Sequence, residues 1–512
     1  MDVIDHILGV ALLTGKAISM PDTSPAPASV LNRAWGQIAR AVQEIVPRKR
    51  SLEIALKPDL PESDEEKLVA AFEECVEHRG GEVQARARAA ALGDAYLNLE
   101  EEGRRRFLEL LATRFAPSRK SVDAAMEAVQ SAADDGERSK AEQRLRVALD
   151  PPRARVLRQF NALPDGVKFL VDLRADLMRW RRETPALAPL EEDLRRILVS
   201  WFDIGFLEMR QMDWTTPAAL LEKLIEYEAV HRIKSWDDLK NRLDADRRCY
   251  GFFHPRMPQE PLIFVEVALV NGIAGDVQAL LDESGDAGDP AEADTAIFYS
   301  ISNAQAGLAG ISFGDFLIKR VAARLTAELP NIKTFATLSP IPGFRRWLER
   351  SPEEAAETPI SADEITAIRK ALALTQTASD DDAPSADGEG DEADALALIE
   401  AAFALPHWSS DGALRDALEA PLTRLVADYL YNRRRPDGRA LDPVAHFHLS
   451  NGARMERLNW LGDRSANGLR QSAGMMINYL YKLSEIDANH EAYSSPDRQI
   501  IASSAIKSAA KR

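Results

Sequence analysis

The chain has 512 residues, 45% of them hydrophobic, enough for two or three domains with large cores, since a single core stops growing at roughly 250–300 residues. Its net charge of −17 excludes general affinity for nucleic acid or an anionic membrane surface, both of which need a basic face. Two cysteines, Cys75 and Cys249, are too few for a disulfide framework or a zinc cluster and fit a reducing, cytoplasmic setting.

The opening MDVIDHILGVALLTGKAISM holds an apolar run with acidic residues and no Lys or Arg before it, a poor match to a secretory signal. No run in the chain approaches the roughly 18–20 apolar residues of a membrane span. From about Val30 to Ser200 the pattern is helical, as in LNRAWGQIARAVQEIV, where Trp35, Ile38, Val42, Ile45 and Val46 recur at helical spacing. Pro61, Pro117, Pro151, Pro164 and Pro185 fall between successive segments, so residues 1–200 are predicted to be an all-helical bundle. After Trp201 the texture changes. PLIFVEVALV (261–270), AIFYSIS (296–302) and IKTFATL (332–338) read as strands alternating with helices, which makes residues 201–512 a mixed α/β domain and the whole chain α+β. The stretch 378–394, ASDDDAPSADGEGDEAD, lacks aromatics and large aliphatics and is predicted to be a disordered acidic insert.

Three familiar signatures are absent: no GxGxxG opens a βαβ unit, and neither GxxxxGK[ST] nor HExxH occurs, so nicotinamide, nucleotide-hydrolysis and zinc-protease readings lack their residues. SISNAQAGLAGISFG instead joins a strand to a helix through Gly307, Gly310 and Gly314. These glycines either cradle an anion at the amides of about Ala309 to Asp315 or simply permit a tight turn. From Phe313 to Arg350 seven basic side chains face three acidic ones, so this segment is locally basic in an acidic chain. Ser339 follows the strand KTFATL and is fixed there by Pro340 and Pro342, either as a site residue or as a turn former. His446 and His448, two apart, are predicted to lie on one face of a strand, which is half of a metal site. No third ligand has suitable spacing, so no metal is expected and one histidine serves better as a proton donor or acceptor.

Together these segments resemble the malonyl-CoA decarboxylase family. FYSIS, QxGLxGI, FLIKRV, TLSPIPGF, FHLxNGA, RLNW and SxGxMxNYxY occur in the family's order between about Trp201 and Tyr481. The resemblance implies a helical domain for oligomer assembly, a homo-oligomer that is a tetramer, and a catalytic domain of the GNAT acetyltransferase type. It also implies decarboxylation of malonyl-CoA to acetyl-CoA and CO2 with no cofactor beyond the coenzyme A of the substrate. Carried over by position, Ser339, His448, Tyr481 and Ser300 are the expected catalytic residues. Gln305, Ala309, Gly310, Ile311, Ser312, Phe313, Gly314 and Asp315, with Ser339 and His448, are expected to contact malonyl-CoA. Ser300 or amides at the helix start would meet the enolate oxygen. Ser312 stands where animal members carry glutamate, a departure that removes one carboxylate. A CoA-dependent acyltransferase of the GNAT type and a non-catalytic CoA sensor remain as alternatives.

Overall fold

The computed structural model describes residues 54–77, 82–161, 163, 165–202, 204–285, 287–311, 317–377 and 392–511. The expected helix around Trp35, the loop residues Ser312 to Asp315 and most of the acidic insert lie outside them. The end of that expected insert differs: a helix already begins at Glu392 and runs to Ala404.

Eight α-helices occupy residues 62–201 among the described residues, and no strand interrupts them. The helix Gly166–Trp180 shows why: Val167, Leu170, Val171, Leu173, Arg174 and Leu177 recur on one side and are buried, as a core-facing helix requires. Strands begin with β1 (Glu208–Met212) and continue through β2 (Arg247–His254), β3 (Met257–Val270), β4 (Thr295–Asn303), β5 (Thr334–Thr337), β6 (Ser339–Pro340), β7 (Arg454–Asn459) and β8 (Met476–Leu480). The sheet order is β1-β2-β3-β4-β5-β8-β6, with β7 also paired to β8. Only β4 and β5 run parallel, joined through the helix Leu317–Glu328, which turns Leu317, Ile318, Val321, Ala322 and Leu325 inward. The apolar core is continuous from Leu60, just before the helix Glu62–Val76, through Phe298 and Phe335 in the sheet, to Ile506 in the helix Ser504–Ala509. Among the described residues no helix is long and apolar enough to cross a membrane.

Two irregularities interrupt the sheet beside Ser339. Phe298 and Thr337 form the last β4–β5 pair; beyond it β4 stays with β3 to Asn303, whereas Ser339 turns to pair with Ile477 of β8. The two strands therefore diverge. In β4, Ser300 faces Glu266 and Phe298 faces Val267, so Tyr299 is an extra residue, a bulge that re-aims the side chains beside the divergence.

Candidate active site

Ser339 lies at the point of divergence. Its Oγ is 2.7 Å from Thr337 Oγ1, two residues back on the same strand face, and 3.0 Å from His448 Nε2. The other ring nitrogen, Nδ1, is 2.8 Å from the Tyr481 hydroxyl. Three residues that the sequence separates by up to 142 positions thus form one hydrogen-bonded chain, and all are buried: Ser339 is 5%, His448 3% and Tyr481 1% exposed. The imidazole stacks on Tyr479 with ring centroids 4.4 Å apart. Burial pulls its pKa down from 6.5 to about 3, so the ring is neutral at ordinary pH. A neutral ring carries one N–H. When Ser339 donates to Thr337, Nε2–H therefore donates to Ser339, and Nδ1 accepts from Tyr481.

His448 is brought to this chain by a helix and not by the expected strand. Asp442 caps the helix Pro443–Ser450, accepting from the Val444 and Ala445 amides at 2.9 and 3.0 Å, and Pro443 at the first position favours helical φ. Residues two apart on a helix point about 200° away from each other. His446 accordingly turns to the Tyr493 hydroxyl at 2.9 Å, away from Ser339, and the half metal site dissolves. Among the described residues no group of three or more His, Cys, Asp or Glu could hold a metal ion.

The same Asp442 reaches across to the Ser339 turn. Its Oδ2 is 3.3 Å from the Gly343 amide and 3.2 Å from the Tyr429 hydroxyl. A Cβ on Gly343 would stand 2.0 Å from that hydroxyl, so the glycine of SPIPGF is the packing condition for docking the serine turn on the histidine helix. Asn478 of NYLY donates to the Thr337 carbonyl at 2.7 Å and the Ala274 carbonyl at 2.8 Å, and Asn459 of RLNW donates to Asn478 at 2.9 Å. Thr337, Asp442 and Asn478 are supports that sequence reasoning missed. Only Asp442 carried a readable signal, an Asp-Pro pair at a helix start.

Ser300 is differently engaged. Its Oγ lies 2.7 and 2.8 Å from the two oxygens of the buried Glu228 and 3.1 Å from Ser302 Oγ. Glu228 also accepts from Ser302 Oγ at 2.8 Å and from the Val230 and His231 amides at 2.8 and 2.7 Å. A serine has one hydroxyl hydrogen, and this carboxylate claims it, so Ser300 offers an acceptor where a donor to the enolate was expected. The bulge sets Ser300 on the sheet face of its partner Glu266. Glu228 was not singled out from the sequence, because 72 residues separate it from Ser300.

The glycine turn divides the expected binding residues. Gln305 is buried with its side-chain amide on the Pro261 carbonyl at 2.8 Å, a tie from the glycine turn back to β3. The Ala309 and Ile311 amides donate to the Ala306 and Leu308 carbonyls at 3.1 and 3.0 Å, so neither is available to an anion. Gly307 permits a close approach, as expected, but to protein: a Cβ there would lie 1.7 Å from the Val171 carbonyl oxygen.

Comparison with known proteins gives the family. The family described as "Malonyl-CoA decarboxylase C-terminal domain" matches residues 205–512, and "Malonyl-CoA decarboxylase N-terminal domain" matches residues 115–202. The mitochondrial malonyl-CoA decarboxylase of Anser anser anser is 36% identical over 374 residues, 72% of this chain and 71% of the relative. That of Rattus norvegicus is 38% identical over 363 residues, 69% of this chain and 70% of the relative. The crystal structure of malonyl-CoA decarboxylase from Rhodopseudomonas palustris superposes with a TM-score of 0.75 at 42% identity, covering 87% of this chain and 99% of that one. The Agrobacterium vitis structure gives 0.74 at 39% identity, covering 87% and 100%. The chain belongs to the malonyl-CoA decarboxylase family.

Proposed function

We propose that the chain converts malonyl-CoA to acetyl-CoA and CO2 with Ser339, His448 and Tyr481 as its proton-transfer apparatus. The bond between C2 and the carboxylate carbon breaks, and its electron pair enters the thioester carbonyl as an enolate. CO2 leaves, and C2 takes up one proton. The thioester itself holds the electrons, so no separate cofactor is invoked. The observation that carries this reading is the buried His448 bonded to Ser339 on one nitrogen and to Tyr481 on the other. His448 Nε2–H gives its proton to C2, directly or through Ser339, while Nδ1 takes the Tyr481 proton; a proton from solvent then re-enters at Nε2 as Nδ1–H returns its own to Tyr481. The ring stays neutral throughout, consistent with its dry surroundings.

The malonyl group is read as entering where β4 and β5 diverge, and that divergence supports the acetyltransferase-type reading of the sheet. The CoA pyrophosphate is assigned to the stretch Ala309 to Asp315, at Gly310 and the residues that follow Ile311. Ser300, its hydrogen held by Glu228, lies beside the divergence as an acceptor. We read the enzyme as a homo-oligomer, a tetramer by family resemblance. The helices Arg119–Gln130 and Asp135–Leu149 leave Met126, Val147 and Leu149 exposed, which supports assembly through that region. The two cysteines are buried free thiols, which supports a reducing compartment such as the cytoplasm.

Single turnover in heavy water tests the assignment with His448→Ala and Ser339→Ala. Each variant is expected to form acetyl-CoA about 10²-fold more slowly. Near-normal turnover by both would sink it. CO2 release from malonyl-CoA with no acceptor present separates decarboxylation from acyl transfer.

A further inference from the structure

Arg174, in the helix Gly166–Trp180 of the helical region, is buried and bonded to the glycine turn 133 residues away. Its Nη1 donates to the Gly307 carbonyl at 2.7 Å and to the Ala309 carbonyl at 2.8 Å. Its Nε and Nη2 both lie 2.9 Å from Glu191 Oε1, and Glu191 Oε2 is held in turn by Arg181 at 2.6 Å. A desolvated guanidinium is expensive unless it is paired and its hydrogens are used, and here one fork faces a carboxylate while another nitrogen faces two peptide oxygens. Gly307, pressed on Val171, brings the turn within reach of that fork.

A trans peptide unit is planar, with its C=O and N–H directed oppositely. Fixing the Ala309 carbonyl toward Arg174 therefore fixes the Gly310 N–H away from the helix, on the outer side of the turn. A cation on the carbonyl also polarises that amide and strengthens its N–H as a donor. The neighbouring Ala309 and Ile311 amides are consumed within the turn, so the orientation of the Gly310 peptide matters most.

We propose that Arg174 is a positioning residue for substrate binding: it orients and polarises the Gly310 amide as a donor to a phosphate oxygen of coenzyme A. The helical region then contributes to the CoA site as well as to assembly. This inference rests on the reading that Ala309 to Asp315 binds the CoA pyrophosphate.

The test uses the full chain, with free CoA and malonyl-CoA as probes. Arg174→Met is expected to raise Kd for CoA and KM for malonyl-CoA at least about tenfold, the loss of one charge-assisted contact, while kcat stays within about twofold. Arg174→Lys keeps a charge beside Glu191 but lacks the fork, and falls between wild type and the methionine variant. Arg181→Gln, which leaves both turn carbonyls bonded, lowers Tm without changing Kd. Either Arg174 variant, folded by circular dichroism and binding CoA like wild type, overturns the proposal; if the methionine variant does not fold, the lysine variant decides. Hydrogen exchange on wild type keeps the underlying reading separate: if CoA protects no amide between Gly310 and Asp315, the CoA assignment itself fails, whatever the variants do.

Discussion

His448 enters the fold as a neutral imidazole, and acid unfolding reads how strongly the fold insists on it. Its pKa falls from 6.5 to about 3 on burial, so above pH 6.5 neither folded nor unfolded chain holds the proton and stability is complete. Below 6.5 the unfolded chain binds a proton that the folded chain refuses, and stability is lost progressively until the pH passes the folded value. Between pH 7.5 and 4.5 this single site removes about 2–3 kcal/mol. His446, drawn down to about 4 by burial and nearby arginines, and His231 and His254, also lowered, push in the same direction. Wild type and His448→Gln share those three, so subtracting their pH dependences isolates His448. Urea unfolding of both chains at pH 7.5 and 4.5 is the assay. Wild type is expected to lose about 2–3 kcal/mol more than the variant over that interval. Equal losses, within about 0.5 kcal/mol, would show that the ring is not held neutral and would remove the basis for an uncharged proton relay.

Tyr481→Phe deletes the hydroxyl on Nδ1 and leaves a buried ring nitrogen without that partner; kcat for CO2 release is expected to fall about 10- to 100-fold, and a change under twofold would take Tyr481 out of the relay. Gly343→Ala drives a methyl into the Tyr429 hydroxyl, 2.0 Å away, and is expected to cost about 1–3 kcal/mol in thermal unfolding and to slow turnover. Tyr429→Phe in the same chain removes the obstructing oxygen, so the double variant is expected to recover both losses; a purely additive double variant would refute the packing account.

How far the sequence spoke depended on how local each signal was. The strand AIFYSIS and the following amphipathic helix were legible because both periods are written in adjacent residues, and they appear as β4 and Leu317–Glu328. The serine, histidine and tyrosine of the site were identified by resemblance, and their convergence was proposed on those grounds. HFH misled because its alternation imitates a strand, while the Asp442–Pro443 start imposes a helix. At Gly307 the sequence left an anion cradle and a tight packing turn both open, and the close approach there is to helix backbone at Val171. Glu228 and Arg174 were illegible for a plainer reason. Nothing in EYEAVHRI or LRADLMRW says which distant backbone or hydroxyl each charge will meet.

The position of β8 has a consequence for synthesis. That strand sits between β5 and β6 in the interior of the sheet, yet it comes from residues 476–480, far downstream of both neighbours. A ribosome delivers Ser339 long before the strand that completes its surroundings, so the growing chain carries a gap in the middle of its sheet, with unpaired strand edges on either side. Such a gap invites pairing with another nascent chain. A nascent chain, or one truncated before residue 476, is therefore expected to be inactive and sticky at once, and newly made enzyme gains activity only when Met476–Leu480 is free to insert.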